Sequence, residues 1–379
     1  MKKIALTFPL LTYFGGAELC AVKIANHLSK KNKIDLIFCG SDINKNLKKI
    51  LSRNINLIAL KPKNVILNYF VRNIILFAQC YIILFLKDKN YEKIISASGE
   101  IVNKKKAYQF IHHPFFSLNI INYLSLGIRF YEFHKLLIRF ILTFTCRIIF
   151  RINKVNLSKN ITFTNSKWSA DKYKTTYNIT NNVFYNYPTF TLKKNTNISF
   201  NKFEERENNF IILGRVTPDK KIHDVIKLFN KICEKFKSLN LKLTIIGPTP
   251  DTIYLNKCKN LSKNNNIFFT GFISENEKEN ILNNSKYGLH LFYNEHFGMA
   301  PCEMQNHNIL VFVNKGGGII EFIDNKNQQF TNYDELIDKI SILLIFKQKR
   351  FKNFKLMLKN KNKIIKHNFY SRLDLILKE

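Results

Sequence analysis

Strand-like and helix-like patterns alternate along the first half of the chain. Lys3–Phe8 and Ile34–Cys39 are short apolar runs of the kind that form buried strands. Between them, Gly16–Ser29 places Cys20 and Leu28 on one face of a predicted helix. The same reasoning predicts strands at Ile55–Leu60, Ile94–Ala97, Tyr108–Ile111 and Ile161–Thr164, and helices at Val65–Leu86, Arg129–Arg151 and Lys167–Tyr173.

The alternation pauses after Pro188 and then begins again. Residues 191–208 are rich in Lys, Asn and Glu and predict a linker. Ser274 and Glu277 have the spacing of a capping box, which predicts a helix start. The second half then has predicted strands at Phe210–Leu213, Leu241–Ile246, Ile267–Thr270, Tyr287–Phe292 and Leu310–Asn314, and predicted helices at His223–Lys237, Asp251–Lys263, Ser274–Asn284, from Gly298, at Thr331–Phe346 and at the chain end.

Two successive runs of this kind predict an α/β chain with two doubly wound, Rossmann-like domains and mostly parallel sheets. We assign residues 1–190 to the first domain and residues 209–360 to the second. A length of 379 residues also favours two cores, because single cores stop growing at roughly 250–300 residues. Ligands in such folds bind at the carboxyl ends of the strands, so the cleft between two facing domains is the default site.

The chain is strongly basic, since 60 Lys and Arg against 27 Asp and Glu give a formal net charge of +33. Such a charge favours nucleic acid, anionic lipid or phosphorylated ligands as partners. Compositional bias explains the charge equally well, because Lys, Asn, Ile and Phe are all abundant. The sequence contains no recognisable nucleic-acid-binding module, so nucleic acid is not the partner we expect.

Cysteine spacing and apolar stretches bear on the cellular location. The seven Cys are widely spaced without a C-x-x-C pair, which favours a reducing cytosol over a disulfide framework or zinc site. The first apolar run is too short for a signal peptide. Residues 65–86 and 136–150 are apolar but interrupted by arginines, which predicts buried or amphipathic helices rather than membrane spans. Basic residues near the second stretch leave peripheral contact with an anionic membrane surface as an alternative for a cytoplasmic protein: Lys135, Arg139, Arg147, Arg151 and Lys154.

Glycine is scarce, with 13 residues, and nine of them cluster at predicted strand ends or helix starts. In such a chain we expect glycine to meet a backbone need, either a positive φ or close approach to a ligand. Gly15 and Gly16 open the first predicted helix, where exposed N–H groups suit a phosphate or carboxylate, although a tight turn alone is the other interpretation. The sequence has neither a dinucleotide fingerprint nor a P-loop. The other seven glycines are Gly214, Gly247, Gly271, Gly298 and Gly316–Gly318.

The second half carries the stronger set of candidate site residues. Arg215 and Lys220 lie on one predicted strand-to-helix loop, where two cations can neutralise a diphosphate in place of a metal. No His/Asp cluster offers ligands for a metal ion. Glu295 and Glu303 lie eight residues apart across the helix start at Gly298, and a carboxylate there can accept hydrogen bonds from a ribose diol. Spacing alone is weak evidence, because solvated helix faces carry such pairs by chance.

Together these motifs resemble those of the retaining GT-B enzymes of glycosyltransferase family four, or group 1. Gly15-Gly16-Ala17-Glu18 resembles the family's entry to its first helix, and Gly214-Arg215 through Lys220 resembles its Gly-Arg-Leu-x-Pro-Glu-Lys loop. Glu295 to Glu303 resembles its E-x7-E signature, and Gly316 to Glu321 its following Gly-Gly-x-x-Glu segment. Segments that resemble the lipid-linked-oligosaccharide mannosyltransferases are Ile111–Pro114, Thr164–Trp168 and Phe184–Pro188.

The resemblance implies a fold and a role for each matching residue. The implied fold is GT-B, two Rossmann-like domains facing across a cleft, with a final helix in residues 361–379 that packs back on the first domain. His113 is the alternate to His112 if the register differs by one. The implied roles are donor diphosphate binding by Gly15, Gly16, Arg215 and Lys220, donor sugar and ribose binding by Glu295, Phe297, Gly298, Met299 and Glu303, and catalysis by His112 and Glu295.

The chain departs from the family pattern at two places. Lys221 replaces the Gly that usually follows the loop lysine. Residues 305–309 replace the usual Ala-Cys-Gly-x-Pro, so the turn before the Leu310–Asn314 strand is built differently. Neither change touches a proposed charge contact, but both bear on donor affinity and on whether the chain is an active member.

The implied activity is metal-independent hexosyl transfer, with retention, from a GDP- or UDP-linked sugar to a glycan or lipid-linked acceptor. The mannosyltransferase-like segments favour mannose. No cofactor is expected besides the nucleotide-sugar substrate. Three alternatives stay open: a GT-B sugar-nucleotide epimerase, which needs no acceptor; a non-catalytic polyanion-binding protein, which would bind nucleic acid with steep salt dependence; and a catalytically inactive scaffold.

Overall fold

The structure is a computed structural model that describes residues 2–12, 15–119, 133–189, 192, 197–262, 266–365 and 367–378. It divides into two compact units. The first unit comprises Met1–Pro188 with Phe369–Glu379, and the second comprises Thr189–Asn368.

The described residues of the first unit form a seven-stranded parallel sheet in the order β3-β2-β1-β4-β5-β6-β7. Helices cover such sheets on both faces, which explains why the strands appear in the sequence as nearly continuous apolar runs. The strands are β1 (Lys3–Thr7), β2 (Lys33–Cys39), β3 (Asn56–Leu60), β4 (Lys93–Ser96), β5 (Tyr108–Ile111), β6 (Ile161–Thr164) and β7 (Val183–Tyr185). The helices before residue 188 are α1 (Gly16–Leu28), α2 (Lys45–Ile50), α3 (Val65–Asn73), α4 (Ile75–Leu86), α5 (Phe133–Ile149), α6 (Lys154–Leu157) and α7 (Lys167–Tyr177).

The long helix predicted over Val65–Leu86 is broken at Ile74, and its two halves, α3 and α4, are bent by 113°. The side-chain amide of Asn73 donates to the Tyr69 carbonyl at 2.7 Å, a local bond that competes with continuation of the helix. Among the described residues, no single helix is long and apolar enough to cross a membrane. The bent pair of α3 and α4 reaches the length and apolar composition of a membrane span only when both halves are counted together. Most of α4 is buried in the core of the first unit.

The described residues of the second unit form a six-stranded parallel sheet in the order β10-β9-β8-β11-β12-β13. The chain runs outward from β8 to β10 and then returns to β11, so the strand order reverses between β8 and β11. The strands are β8 (Glu207–Leu213), β9 (Lys242–Ile246), β10 (Ile267–Gly271), β11 (Ser285–His290), β12 (Leu310–Asn314) and β13 (Gln329–Phe330). The helices are α8 (Phe200–Glu204), α9 (Ile222–Lys235), α10 (Thr252–Leu261), α11 (Glu275–Asn283), α12 (Met299–Asn306), α13 (Tyr333–Ile345) and α14 (Lys347–Ile365).

The predicted α/β class with two doubly wound, parallel-sheet units is confirmed. The predicted capping box is also present: Ser274 accepts from the Glu277 N–H, and Glu277 accepts from the Ser274 N–H. The helix predicted from Arg129 is described from Phe133 onward, and its predicted start lies outside the described residues.

The segments that connect the units differ from the sequence-based expectation. Within the predicted linker over 191–208, α8 forms a helix, and Phe203 is fully buried in the core of the second unit. Residues 361–365 continue α14, where the Lys361 Nζ donates to Asn308 Oδ1 at 2.9 Å within the second unit. The last helix, α15 (Phe369–Lys378), belongs to the first unit, where Asp374 Oδ1 lies 2.7 Å from His27 Nε2 on α1.

Candidate functional site

The carboxyl ends of β8 and β11 meet where the strand order of the second unit reverses, the usual ligand position in such sheets. A small cleft opens at this point. Its lining includes Gly214 and Arg215 after β8, Lys220 on the following loop, and His290 and Phe292 at the end of β11. The two cations predicted from the sequence therefore face one cleft.

The backbone at the end of β8 is packed tightly against the end of β9. The Gly214 N–H donates to the Ile246 carbonyl at 2.9 Å. A Cβ at Gly247, whose φ is +147°, would lie 2.1 Å from the Gly214 carbonyl oxygen. Only glycine fits there, because every other residue would collide with backbone that cannot move aside. This packing fixes the direction in which the Arg215 loop leaves the sheet.

Lys220 lies at the end of a short 3-10 turn, Pro218–Lys220. Its Nζ lies 4.4 Å from the centre of the Phe292 ring and 4.0 Å from Glu295 Oε2. The cation is therefore held over an aromatic face beside a carboxylate. Arg215 is exposed at the mouth of the same cleft.

Glu295 is ionised at neutral pH. Burial works to raise its pKa, but a hydrogen bond from His290 and the charges of His290, Lys220 and His296 together lower the pKa to about 2. The His290 Nε2 lies 3.0 Å from Glu295 Oε2, and the His290 side chain is only 8% exposed. The result is a fixed negative charge next to Lys220.

A turn at Gly317 and Gly318 binds the backbone of Glu295. The Gly318 N–H donates to the Glu295 carbonyl at 2.7 Å, and Gly317 pairs with Glu295 in a parallel bridge. Gly317 has φ +81°, and a Cβ there would lie 2.2 Å from the Glu295 carbonyl oxygen. The Gly-Gly-x-x-Glu segment thus supports the first glutamate of the E-x7-E pair.

The second glutamate, Glu303, lies on α12, whose N-cap is Gly298 with φ +87°. Glu303 Oε1 forms an ion pair with Lys278 Nζ on α11 at 2.7 Å, and Lys278 also contacts Glu275 at 2.8 Å. Glu303 remains 30% exposed. Of the neighbouring predicted donor-sugar residues, Phe297 is buried edge-on against Phe322 at 5.8 Å between ring centres, and Met299 is the first residue of α12.

Sequence reasoning missed three neighbours of the predicted residues: His290, Phe292 and Lys278. His290 ends a buried parallel strand, and polar residues at that place are common in functional sites, so this signal was available. Lys278 had no such signal, because it is one of many lysines on solvated helices.

The predicted residues of the first unit lie at the start of α1 and directly after β5. Gly15 is the N-cap of α1 in an extended conformation, φ −139°, so it meets no need for a positive φ there. His112 is half-buried and directly follows β5. The loop after it is fixed by the buried Glu100, whose Oε2 accepts the Phe115 N–H at 3.1 Å. Across the described residues, no group of three or more His, Cys, Asp or Glu side chains could hold a metal ion.

Glu100→Gln should stabilise the protein at alkaline pH. Burial raises the Glu100 pKa to about 7, although hydrogen bonds from Tyr177 and Phe115 and the Arg147 charge act to lower it. Because the folded pKa lies above the unfolded one, the stability contribution is full below about pH 4.5 and is lost as pH rises through 7. The neutral amide can donate to the Tyr177 hydroxyl and accept from Phe115, so we expect a gain of about 1–3 kcal/mol at pH 8 and less at pH 5.

Urea unfolding of both proteins across this pH range measures the effect. Glu92→Gln, at an exposed carboxylate of the same unit, is the matched control and should change little. An equal gain at pH 5 and pH 8 would show that the ionisation of Glu100 is not the cause.

Lys221→Gly should also stabilise the chain. Lys221 is the N-cap of α9 with φ +53°, a left-handed conformation that costs a non-glycine residue roughly 1 kcal/mol. This is the position where the resembled family has glycine. We expect a gain of about 0.5–1 kcal/mol in urea unfolding, whereas Lys227→Gly, at an exposed position inside the same helix, should lose about 1 kcal/mol. Equal losses in both variants would contradict the strain at Lys221.

Comparison with known proteins shows a similarity of the second unit to one family of domains. Residues 193–355, which include Arg215, Lys220, Glu295 and Glu303, match the family model described as Glycosyl transferases group 1. This part of the chain is therefore similar to a glycosyltransferase group 1 domain.

Curated relatives carry the name GDP-Man:Man(3)GlcNAc(2)-PP-Dol alpha-1,2-mannosyltransferase. The Mus musculus protein is 26% identical over 191 residues, which cover 47% of this chain and 39% of that protein. The Candida glabrata protein is 24% identical over 211 residues, which cover 52% of this chain and 42% of that protein. The matched region thus spans about two fifths of the length of these relatives.

Solved structures share the fold over nearly the whole chain. WaaG, a glycosyltransferase involved in lipopolysaccharide biosynthesis, has a TM-score of 0.68 at 14% identity and covers 97% of this chain and 96% of its own. HepE of Anabaena, solved with UDP and glucose, has a TM-score of 0.68 at 14% identity, and the match covers 100% of this chain and 98% of HepE. Sucrose-phosphate synthase of Thermosynechococcus elongatus has a TM-score of 0.69 at 12% identity, and the match covers 100% of this chain and 98% of the synthase. The predicted GT-B fold class is confirmed.

Proposed function

We propose that this chain is a retaining hexosyltransferase that moves a sugar from a nucleotide-diphosphate donor to a glycan or lipid-linked acceptor, without a metal. The observation that carries the proposal is the cleft at the ends of β8 and β11, where Lys220 lies 4.0 Å from the ionised Glu295 and Arg215 stands at the mouth. Two cations beside one glutamate suit a leaving diphosphate next to a sugar that becomes positively charged.

In the proposed reaction the bond from the donor sugar C1 to the diphosphate oxygen breaks through an oxocarbenium-like state. Lys220 and Arg215 stabilise the negative charge that develops on the departing diphosphate, with the Gly15 and Gly16 amides as further donors. The acceptor hydroxyl attacks C1 on the same face, and its proton passes to the diphosphate. Glu295 and the backbone from Phe297 to Met299 hold the donor sugar.

The other site residues receive positioning roles in this proposal. Glu303 binds the ribose diol of the nucleotide, and its ion pair with Lys278 holds the carboxylate in place. For His112, which lies in a loop that Glu100 fixes, the proposed role is to act on the acceptor, as the family resemblance implies.

For the donor we propose GDP-mannose, with a lipid-linked glycan as the acceptor. The curated relatives are named for GDP-mannose and a dolichol-linked acceptor, and the mannosyltransferase-like segments of the first unit agree with that name. UDP-glucose is the second candidate, because the solved HepE structure contains UDP and glucose. A lipid-linked acceptor would bring the enzyme to the cytosolic surface of a membrane.

Thermal unfolding with UDP-, GDP- and ADP-sugars tests the donor, followed by transfer assays with membrane extract as acceptor. We expect GDP-mannose to raise Tm, and labelled mannose to enter the lipid fraction. Conversion of the sugar nucleotide without acceptor would identify an epimerase. No response to any nucleotide sugar, with salt-sensitive binding to DNA, would identify a polyanion-binding protein and overturn the proposal.

A further inference from the structure

The helix α5 carries an apolar side that is exposed to solvent, although Leu136 and Cys146 of the same helix are buried. Large apolar side chains between 36% and 64% exposed cover its outer side. An amphipathic helix in a globular protein normally turns this face toward the core. The exposed set includes Leu137, Ile138, Ile141, Phe144, Ile148 and Ile149.

Three polar residues of α5, Arg139, Thr143 and Arg147, instead face the protein, whereas His134 and Thr145 are exposed. The Arg139 Nη2 donates to the Phe115 carbonyl at 3.3 Å, and Thr143 is fully buried. The Arg147 Nε donates to the Ile152 carbonyl at 3.3 Å, and its guanidinium lies 5.4 Å from the Tyr177 ring centre. Because these contacts hold the helix in one rotation, the outward direction of the apolar side is built into the fold.

The positive charges near this apolar side indicate which kind of partner it binds. Arg151 and Lys154 are exposed directly after α5, followed by Val155 at 68% exposure. Residues 133–160 contain no Asp or Glu. A second copy of a chain with net charge +33 would bring like charges together, whereas an anionic lipid surface attracts these cations and accepts the apolar side chains.

We propose that the outer side of α5, together with Arg151 and Lys154, docks on an anionic lipid bilayer. The helix, about 26 Å long for 17 residues, lies in the plane of the interface with its apolar side chains at the acyl boundary. This docking surface goes beyond the proposed reaction and does not depend on it, because binding needs neither donor nor acceptor.

Flotation of the full chain with phosphatidylcholine vesicles, with and without phosphatidylserine, tests the surface in the absence of nucleotide sugar. We expect the protein to float with the anionic vesicles. Ile141→Glu with Ile148→Glu should weaken this binding at least about tenfold, because in the parent protein both isoleucine side chains move from water into the lipid on binding. The matched control is Ile253→Glu with Phe272→Glu, two exposed apolar residues of the second unit that add the same charge, and it should bind as the parent does.

A second pair isolates the electrostatic part. Arg151→Gln with Lys154→Gln should lower binding to anionic vesicles on the order of tenfold and leave binding to neutral vesicles unchanged. Thermal unfolding confirms that all variants fold. The proposal is overturned if the parent protein ignores anionic vesicles, or if the α5 pair and the control pair bind alike. Self-association that Ile141→Glu and Ile148→Glu abolish, without vesicle binding, would likewise overturn it in favour of a second copy.

Discussion

Lys220→Ala is expected to lower kcat for sugar transfer by a factor on the order of 10²–10³. The ammonium lies in the cleft over the Phe292 ring, at the loop end that faces the proposed diphosphate. A charge that develops on the leaving group is stabilised best by a cation already in place, so its loss raises the barrier more than it weakens donor binding.

Two variants make the comparison specific. Lys227→Ala removes one exposed charge from the same unit and should leave kcat unchanged. Lys220→Arg keeps the charge but changes its shape and reach, so it should recover only part of the loss. Initial rates at saturating donor measure all three. If Lys220→Ala and Lys227→Ala gave the same rate, Lys220 would have no part in the chemistry.

The sequence was most informative where burial decides the pattern. The strands β5, β6 and β12 have the bounds that the apolar runs predicted, because strands covered on both faces consist of little else. The capping box at Ser274 was equally accessible, since a cap is a local interaction between residues three apart.

Features that depend on distant neighbours could not be predicted in the same way. The break at Ile74 leaves α4 packed in the core and α3 largely outside it, although the sequence pattern predicted one continuous helix. The outward apolar side of α5 follows from contacts of Arg139 and Arg147 with other segments. Hydrophobic periodicity gives an apolar face but not the side of the protein to which it turns.

The candidate site shows the same division. Lys220 and Glu295 were predicted from motif resemblance, and the structure brings them within 4.0 Å. The structure pairs Glu303 with Lys278 on α11, a contact between two helices that no spacing along the chain indicates. The left-handed Lys221 was visible only as a departure from the family's glycine, and its strain became clear from φ +53°.

Glu303→Ala is expected to lower turnover on the order of 10²-fold, because the carboxylate proposed to bind the ribose diol is lost and hydrogen bonds to a charged group are the stronger kind. The variant also releases Lys278, so Glu275→Ala, which removes the other partner of Lys278, is the matched control and should keep most of the activity.

A 2′-deoxyribose donor separates ribose binding from a structural role for Glu303. The parent protein should lose activity with this donor, because the carboxylate then lacks one of its two hydroxyl partners. Glu303→Ala should discriminate far less between the ribose and deoxyribose donors, since the group that senses the hydroxyl is absent. If the variant discriminated as strongly as the parent, the loss would come from the released Lys278 or from α12 itself, and the ribose would be bound elsewhere. Because the comparison is a ratio within each variant, a general loss of folded protein cannot mimic it.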